Sequence, residues 1–552
     1  MSSLKIFPIG GIGSVTKNMF VYEYEDEMLL VDCGIGFPEI AQFGIDVLIP
    51  DVSYIQKRLT QGATIVGMCL THGHDDHIAA LPYILPMLKQ DFPIYGSILT
   101  AAFAEARLSD HEIQKQVQTY PEFMPVRLGK AFSVTPIAVT HSIPESRHLI
   151  IHTPEGIVYH GSDFKFDMNP VDHKVSDFAS MALVGREGVS VALVDCLRVE
   201  RSYWSPSESS IEATFEREIE DCQGKFIVTL MSSNLHRVQQ AINVAHAHQR
   251  KVVFIGRSVE QNVKIAEDLK LLTIPKGMYV HKRKMNEYQD RELCVIIAGS
   301  QGQPGSSLVR AVFGEHPIVT ISKKDKVVFS TEAIPGNESN VYSTIDELAK
   351  NRINIVYSDI DSGLHVSGHA GEQEQKLLLS LLNSRYVFPI GGTERHRVQF
   401  AHMANELGYN DQSILLPKHG EIIELKDGKI LFGDVIDLKE LMVDGLGVGD
   451  VGASVLADRK RMAEEGMIVV IIPESAGTYQ TKNIMIVSRG FVFMRDADEV
   501  ITLIKNTTAE ILTKHADMQE QQLKREIERQ LSRAVEDYIE RKPLILPVFV
   551  GE

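Results

Sequence analysis

Residues Thr71–Leu85 read THGHDDHIAALPYIL. His72, His74, Asp75, Asp76 and His77 place five ionisable side chains within six residues, and an apolar run follows at once. The preceding ATIVGMCL has the composition of a strand, and IAALPYILPMLKQ reads as a helix packed on a sheet. In a loop just past a strand, side chains at i and i+2 converge, so His72 and His74 face a common point. His77, at a helix start, faces the same place as Asp76. Imidazole nitrogens with carboxylate oxygens and no thiolate suit zinc or manganese in an open catalytic geometry. A polar loop with a helix-capping Asp also carries histidines, but HxHxDH between a strand and a helix is far more specific.

The totals bound the rest. A chain of 552 residues exceeds a single hydrophobic core, and two to four domains are expected. With 44% hydrophobic and 23% charged residues, the composition is that of an ordinary globular protein. Apolar stretches such as GMIVVIIP (466–473) are too short to span a bilayer, and MSSLKIFPIGG lacks a secretory pattern. Five scattered cysteines without a CxxC read as reduced thiols in the core. A soluble, cytoplasmic protein with no membrane partner is expected. The net charge of −17 weighs mildly against a polyanionic partner, although net charge does not describe a cleft. The basic runs HKRK (281–284) and KKDK (323–326) read as solvated loop charges.

Along the first 200 residues, β-like runs alternate with turns, among them LKIFPIGG, FSVTPIAVTHS, HLIIHTPEGIVYHGSDF and VSVALVDC, with few helical signals. A layered α/β sandwich follows. From SPSESSIEATFEREIEDCQGK onward, helices alternate with KFIVTLMSS, KVVFIGRS, VIIAG, HPIVTIS and KVVFS, the pattern of a parallel sheet. The expected divisions are 1–205, a separate α/β domain at 206–360, a return to the first domain at 361–440, a Gly-rich linker at 441–460, and a C-terminal domain at 461–552. The last holds strands at MIVVIIPE and KNIMIVSRGFVF, a helix from about 507 to 541 and a final strand, PLILPVFV.

HxHxDH is the signature of the metallo-β-lactamase fold, and further motifs resemble that superfamily in order: Asp32 in LLVDCG, His141 in VTHSIP and Asp163 in HGSDFKFD. The insertion at 206–360 resembles a β-CASP domain, and the whole chain resembles bacterial ribonuclease J. The matching stretches include GIDVLIPD (44–51), MSSNLHRVQQ (231–240), GSQGQPGS (299–306), FSTEAIPGNE (329–338), HVSGHA (365–370), VDGLGVGDVG (443–452) and KPLILPV (542–548). The resemblance implies an α/β protein: an αββα metallo-β-lactamase sandwich, an inserted β-CASP α/β domain and a small α+β C-terminal domain. It implies two divalent ions, zinc before manganese. His72, His74 and His141 would hold one, Asp76 and His77 the other, with Asp163 bridging and Asp32 orienting the cluster. His365, Val366, Ser367, Gly368 and His369 would bind the substrate phosphate. Asp195 matches the insertion family's acidic motif, Asp76 doubles as proton acceptor, and His369 donates to the leaving oxygen. For a 5′-phosphate pocket the candidates are Asn234, His236, Arg257, Ser258, Ser300 and Ser330.

The implied activity is a metal-dependent ribonuclease acting on single-stranded RNA. It would degrade 5′-monophosphorylated ends in the 5′–3′ direction and cut internally, in RNA maturation, rRNA processing and mRNA decay, as a homodimer or homotetramer. The chain departs from its family at FPIGGTERH (388–396), where PxHGExRH is usual: Gly391 replaces a metal-binding His and Thr393 an acid. Either the second ion takes a water there, or Glu394 or His396 swings in, or that ion is bound weakly. After Asp195, Cys-Leu-Arg stands in place of a Ser-rich turn. The alternative readings are a catalytically weak RNA-binding scaffold subunit, a small-molecule hydrolase of the same fold, and a DNA-directed nuclease.

Overall fold

The computed structural model describes residues 2–551 except 40–41, 122–123, 335–336, 446, 450, 476–477 and 492–496. Parts of FSTEAIPGNE, VDGLGVGDVG and the strand expected at KNIMIVSRGFVF therefore lie outside the described residues. The chain divides into two compact units, 1–37 with 48–441, and 38–47 with 442–552.

In the first unit, one sheet runs Lys429–Val435, Glu421–Lys426, Leu4–Pro8, Phe20–Tyr24, Glu27–Val31, Thr64–Cys69, Ile94–Gly96 and Gln118–Thr119. A second runs Tyr386–Ile390, Val189–Asp195, Gly156–His160, Arg147–Thr153, Phe132–Ala138 and Val126–Leu128. Alternate residues from both sheets meet in one core. Leu4, Ile6, Leu29 and Val31 come from the first, and Val134, Leu149, Ile151 and Leu193 from the second. The opposite face of the second sheet, including Ala192 and Val194, joins a core with helices Phe178–Glu187, Glu372–Leu382 and Glu394–Glu406. Val189–Asp195 is thus covered on both sides, which is why VSVALVD is nearly continuously apolar. Helices Ser53–Thr60, Leu81–Leu88 and Ile98–Asp110 lie on the first sheet's side. The sequence reading missed Ile98–Asp110, where Ser97 Oγ accepts from Thr100 N and an Ala-rich helical run follows.

The chain leaves the sandwich after Val189–Asp195 and returns through helix Glu372–Leu382 to that strand's parallel neighbour Tyr386–Ile390. The excursion carries a parallel sheet ordered Lys251–Ile255, Leu293–Ile297, Phe226–Thr229, Lys326–Phe329 and Asn354–Val356, interleaved with helices. HPIVTIS, expected as a strand, forms none: His316 Nδ1 accepts from the backbone N–H groups of Ile318 and Val319 at 3.2 and 3.0 Å, and Pro317 has no donor to offer.

In the second unit the expected linker carries strand Leu441–Asp444, turned back on Gly447–Val448, and most of helix Ala453–Glu465. The single helix expected over 507–541 is two, Ala497–Lys514 and Glu520–Ile539. Val500, Ile504 and Ile511 of one, with Leu523, Ile527, Leu531 and Val535 of the other, share a core with Ile468, Val470 and Ile472. A short sheet accepts both apolar faces only when the helix folds back. Leu544–Gly551 closes that sheet parallel to Met467–Ser475. No helix among the described residues is long and apolar enough to cross a membrane.

One buried ion pair pins the start of the excursion. Arg237 Nε and Nη2 donate to Glu208 Oε1 and Oε2 at 2.7 and 2.9 Å, and Nη1 donates to Ser330 O at 2.8 Å. Removing one partner of such a pair leaves an uncompensated buried charge. Glu208→Ala is expected to cost about 3–5 kcal/mol of stability by chemical denaturation; a loss below about 1 kcal/mol would show the pair to be dispensable.

Candidate metal centre

The ligands expected from the motifs sit just past strand ends. Asp32 follows Glu27–Val31, the 71–77 loop follows Thr64–Cys69, His141 follows Phe132–Ala138, Asp163 follows Gly156–His160, and Asp195 ends Val189–Asp195. These strand ends open on one edge of the sandwich. Asp32 has a left-handed backbone, φ 61°, unusual for a non-glycine residue. Its Oδ1 accepts from Thr71 N at 2.8 Å, and its Oδ2 accepts from Thr71 Oγ1 at 2.8 Å and from His77 Nδ1 at 2.7 Å. A Cβ at Gly34 would stand 1.5 Å from Asp76 O, so only glycine lets these loops approach. Arg107 Nη2 donates to both Asp75 oxygens, at 2.7 and 3.0 Å, and turns Asp75 away from the centre.

Hydrogen bonds fix the tautomers. His141 Nδ1 donates to Gly368 O at 2.6 Å, leaving the Nε2 lone pair facing inward. Thr71 gives its one proton to Asp32, so its contact with His72 Nδ1 at 3.1 Å makes that nitrogen the donor, and His72 Nε2 is bare. His74 Nδ1 lies 3.1 Å from His72 Nε2 and 3.1 Å from His141 Nε2. Bare lone pairs at that separation repel unless a cation or proton lies between them. Ligand atoms about 2.0–2.1 Å from a tetrahedral zinc stand about 3.3 Å apart. The donor set therefore fits a divalent ion. Asp163 Oδ2 completes it, 3.7 Å from His72 Nε2 and 3.8 Å from His141 Nε2. The same oxygen lies 3.4 Å from His77 Nε2, which is 3.7 Å from Asp76 Oδ2. Two groups, His72–His74–His141–Asp163 and Asp76–His77–Asp163, thus share one carboxylate, and Asp163–Asp195–His369 forms a third.

Electrostatics favours cations here. Burial holds the imidazoles of His72 and His141 well below their usual range and His74 near about 3, so all three are neutral ligands at pH 7. Burial also acts against charge on His77, but Asp163, Asp76 and Asp32 outweigh it and raise His77 well above its usual value. His369 rises to about 9 against burial, through Asp195 and Asp163. Burial raises Asp76 to about 6. The protein's own cations do not balance the carboxylates, and a proton or metal must.

His369 Nδ1 donates to Asp195 Oδ2 at 2.8 Å, and His369 Nε2 lies 3.9 Å from Asp163 Oδ2, so both residues join the cluster. Ser367 and Gly368 flank it. A Cβ on Gly368 would meet Ser142 Cβ and Oγ at 2.7 Å and His141 Cε1 at 3.0 Å. His365 turns away, with Nδ1 3.4 Å from Glu332 Oε1, and Val366 O accepts from Arg237 Nη2 at 3.4 Å.

The candidates for a 5′-phosphate pocket carry structural contacts of their own. Asn234 caps helix Leu235–Ala247, accepting from Arg237 N at 3.0 Å. His236 faces Asp172 at 3.4 Å. Ser300 Oγ contacts Met231 Sδ at 3.7 Å, and Ser330 Oγ donates to Leu364 O at 2.7 Å. Arg257 and Ser258 open helix Arg257–Asp268, Arg257 exposed and Ser258 half-buried.

Neither substitute ligand replaces the missing histidine. Glu394 pairs with Arg397, and His396 Nδ1 is engaged by Thr393 N and Thr393 Oγ1, both at 3.2 Å. A Cβ at Gly391 (φ 69°) would stand 3.3 Å from Asp195 Oδ1 and 3.9 Å from Asp163 Oδ1. That position adjoins the centre and contributes no ligand.

Sequence reading missed Asn18, whose Nδ2 lies 3.1 Å from His77 Nε2 and 3.5 Å from Asp76 Oδ2. KNMF carries no motif that would mark it. Thr71 was also missed, although it begins the opening motif.

This site and sandwich define a metallo-β-lactamase-fold protein with an α/β insertion. The family described as "Metallo-beta-lactamase superfamily" matches residues 13–124, "Ribonuclease J, beta-CASP domain" matches 223–348, and "Ribonuclease J C-terminal domain" matches 454–551. "Ribonuclease J 1" of Streptococcus pyogenes serotype M3 is 33% identical over 98% of this chain and 97% of its own length. "Ribonuclease J" of Synechocystis sp. is 34% identical over 99% of this chain and 86% of its own, and "Ribonuclease J 2" of Staphylococcus aureus 31% over 99% and 98%. A solved structure described as a protein of unknown function from Enterococcus faecalis superposes with a TM-score of 0.52 at 13% identity, covering 77% of this chain and 100% of that one, which supports the fold alone. The chain belongs to the ribonuclease J family.

Gly368→Ala tests how the centre is held together. The new methyl would press on Ser142 at 2.7 Å and on the His141 ring at 3.0 Å, and metal affinity is expected to fall about 10–100-fold by competitive chelator titration; unchanged affinity would show that this packing does not orient the ligand.

Proposed function

We propose that the protein is a metal-dependent ribonuclease acting on single-stranded RNA, with 5′–3′ exonuclease activity on 5′-monophosphorylated ends and endonuclease activity. The observation that carries this reading is the convergence of His72, His74, His141 and Asp163 beside the 365–369 loop, in a chain of the ribonuclease J family. Two divalent ions, zinc or manganese, would lower the pKa of a water and neutralise charge growing on phosphorus.

The chain's own groups do the remaining work. Asp163 spans both ligand sets, and Asp32 fixes His77 Nδ1 so that Nε2 faces inward. Asp76, raised to about 6, accepts a proton near neutral pH. His369 holds a proton through Asp195 and delivers it to the leaving 3′ oxygen. The Ser367 hydroxyl and the Gly368 N–H receive the phosphate oxygens, while glycine lets this turn pack against Ser142 and His141. Roles in RNA maturation, rRNA processing and mRNA decay, a cytoplasmic location, and a homodimer or homotetramer complete the proposal. Five free, buried cysteines agree with a reducing compartment.

Gly391 favours a second reading, a catalytically weak RNA-binding scaffold, because neither Glu394 nor His396 supplies the missing ligand. One assay separates the two. With manganese or zinc, the purified protein is expected to release mononucleotides from 5′-monophosphorylated RNA, and Asp163→Ala is expected to lower the rate by at least about a hundredfold. RNA binding without nucleotide release under either metal would establish the scaffold.

A further inference from the structure

The turn after Asp195, Cys196-Leu197-Arg198, departs from the family's Ser-rich pattern, and Arg198 does not point away into solvent. Its Nε donates to Ser367 Oγ at 3.1 Å and its Nη2 to Glu332 Oε2 at 3.2 Å. Ser367 Oγ also accepts from His369 N at 3.0 Å. One hydroxyl therefore separates the guanidinium from the residue whose ring faces Asp163. The Arg198 side chain is 22% exposed and that of Glu332 is 50% exposed. Among the described residues, Nη1 has no hydrogen-bond partner, so the fork is only partly used.

An Arg–Glu pair this exposed adds little to stability. Its position gives it another use. A guanidinium fork matches phosphate geometry, and in a chain of net charge −17 a cation beside the 365–369 loop attracts a polyanion. A phosphate and the Glu332 carboxylate cannot share the guanidinium without like-charge repulsion. Glu332 has room to yield, and His365 Nδ1 stands 3.4 Å from its other oxygen. We infer that Arg198 binds a backbone phosphate of the RNA beside the 365–369 loop, and that Glu332 holds the guanidinium there until the phosphate displaces it. The assignment rests on the ribonuclease reading above. It makes Arg198 a substrate-binding residue and Glu332 its competing counter-ion, which tightens the selection against weakly charged ligands.

The test is equilibrium binding of a short 5′-monophosphorylated, phosphorothioate single-stranded RNA, chosen to resist hydrolysis, to the full-length metal-loaded protein across a series of salt concentrations. Arg198→Gln is expected to weaken binding about tenfold. It should flatten the slope of log affinity against log salt by about 0.7, the signature of one lost phosphate contact on a single strand. Arg198→Lys should restore the slope but only part of the affinity. Glu332→Gln should tighten binding about threefold. Binding by Arg198→Gln equal to wild type, with the same slope, overturns the assignment. So does a Glu332→Gln variant that weakens binding as Arg198→Gln does, since the pair would then be a brace for the loop. If the wild type binds no RNA, both the assignment and the ribonuclease reading fall; if it binds and only the variants misbehave, the assignment falls alone.

Discussion

Four imidazoles face one carboxylate oxygen. Asp163 Oδ2 stands 3.4 Å from His77 Nε2, 3.7 Å from His72 Nε2, 3.8 Å from His141 Nε2 and 3.9 Å from His369 Nε2. Each ring is aimed by a bond on its far side: His77 to Asp32, His72 to Thr71, His141 to Gly368 O and His369 to Asp195. Such outer contacts set tautomer and orientation and hold the ligand nitrogens toward Asp163. The packing that fixes these contacts comes from the two sheets, whose strand ends carry the residues.

The insertion matters to the centre through its point of attachment. Val189–Asp195 and Tyr386–Ile390 are parallel neighbours, so the excursion leaves from the edge where the ligands gather, and the C-terminal end of the returning strand lies at that same edge, Ile390 level with Asp195. Asp195 at one strand end and Gly391 at the other adjoin Asp163, and the 365–369 loop lies close by. Arg237 and Glu208 lock the first helices of the insertion to the chain crossing into it, with Ser330 and Val366 carbonyls completing the guanidinium's partners.

Much of this was legible in the sequence because the chemistry is local. HxHxDH places four donors in six residues, and a strand's end is marked by where its apolar alternation stops. Asp32, His141 and Asp163 became readable through family order alone. Asn18 and Thr71 were not legible, since their roles come from contacts across loops that no spacing encodes. The helix at Ile98–Asp110 was overlooked amid β-rich neighbours, and the paired helices at Ala497–Lys514 and Glu520–Ile539 read as one because no glycine or proline marks their break. HPIVTIS has strand composition, yet His316 and Pro317 divert its backbone. The pocket candidates Asn234, Ser300 and Ser330 also carry structural contacts, a helix cap and hydrogen bonds to Met231 Sδ and Leu364 O, uses that residue type alone does not distinguish.

Gly391 makes metal occupancy the decisive quantity. Anomalous diffraction at the zinc or manganese edge, from crystals grown with that metal, locates each ion directly. The account predicts a peak bonded to His72 Nε2, His74 Nδ1, His141 Nε2 and Asp163 at about 2.0–2.2 Å, with a second bounded by Asp76, His77 and Asp163. Anomalous density elsewhere, or rings splayed around a peak-free space at saturating metal, would contradict it.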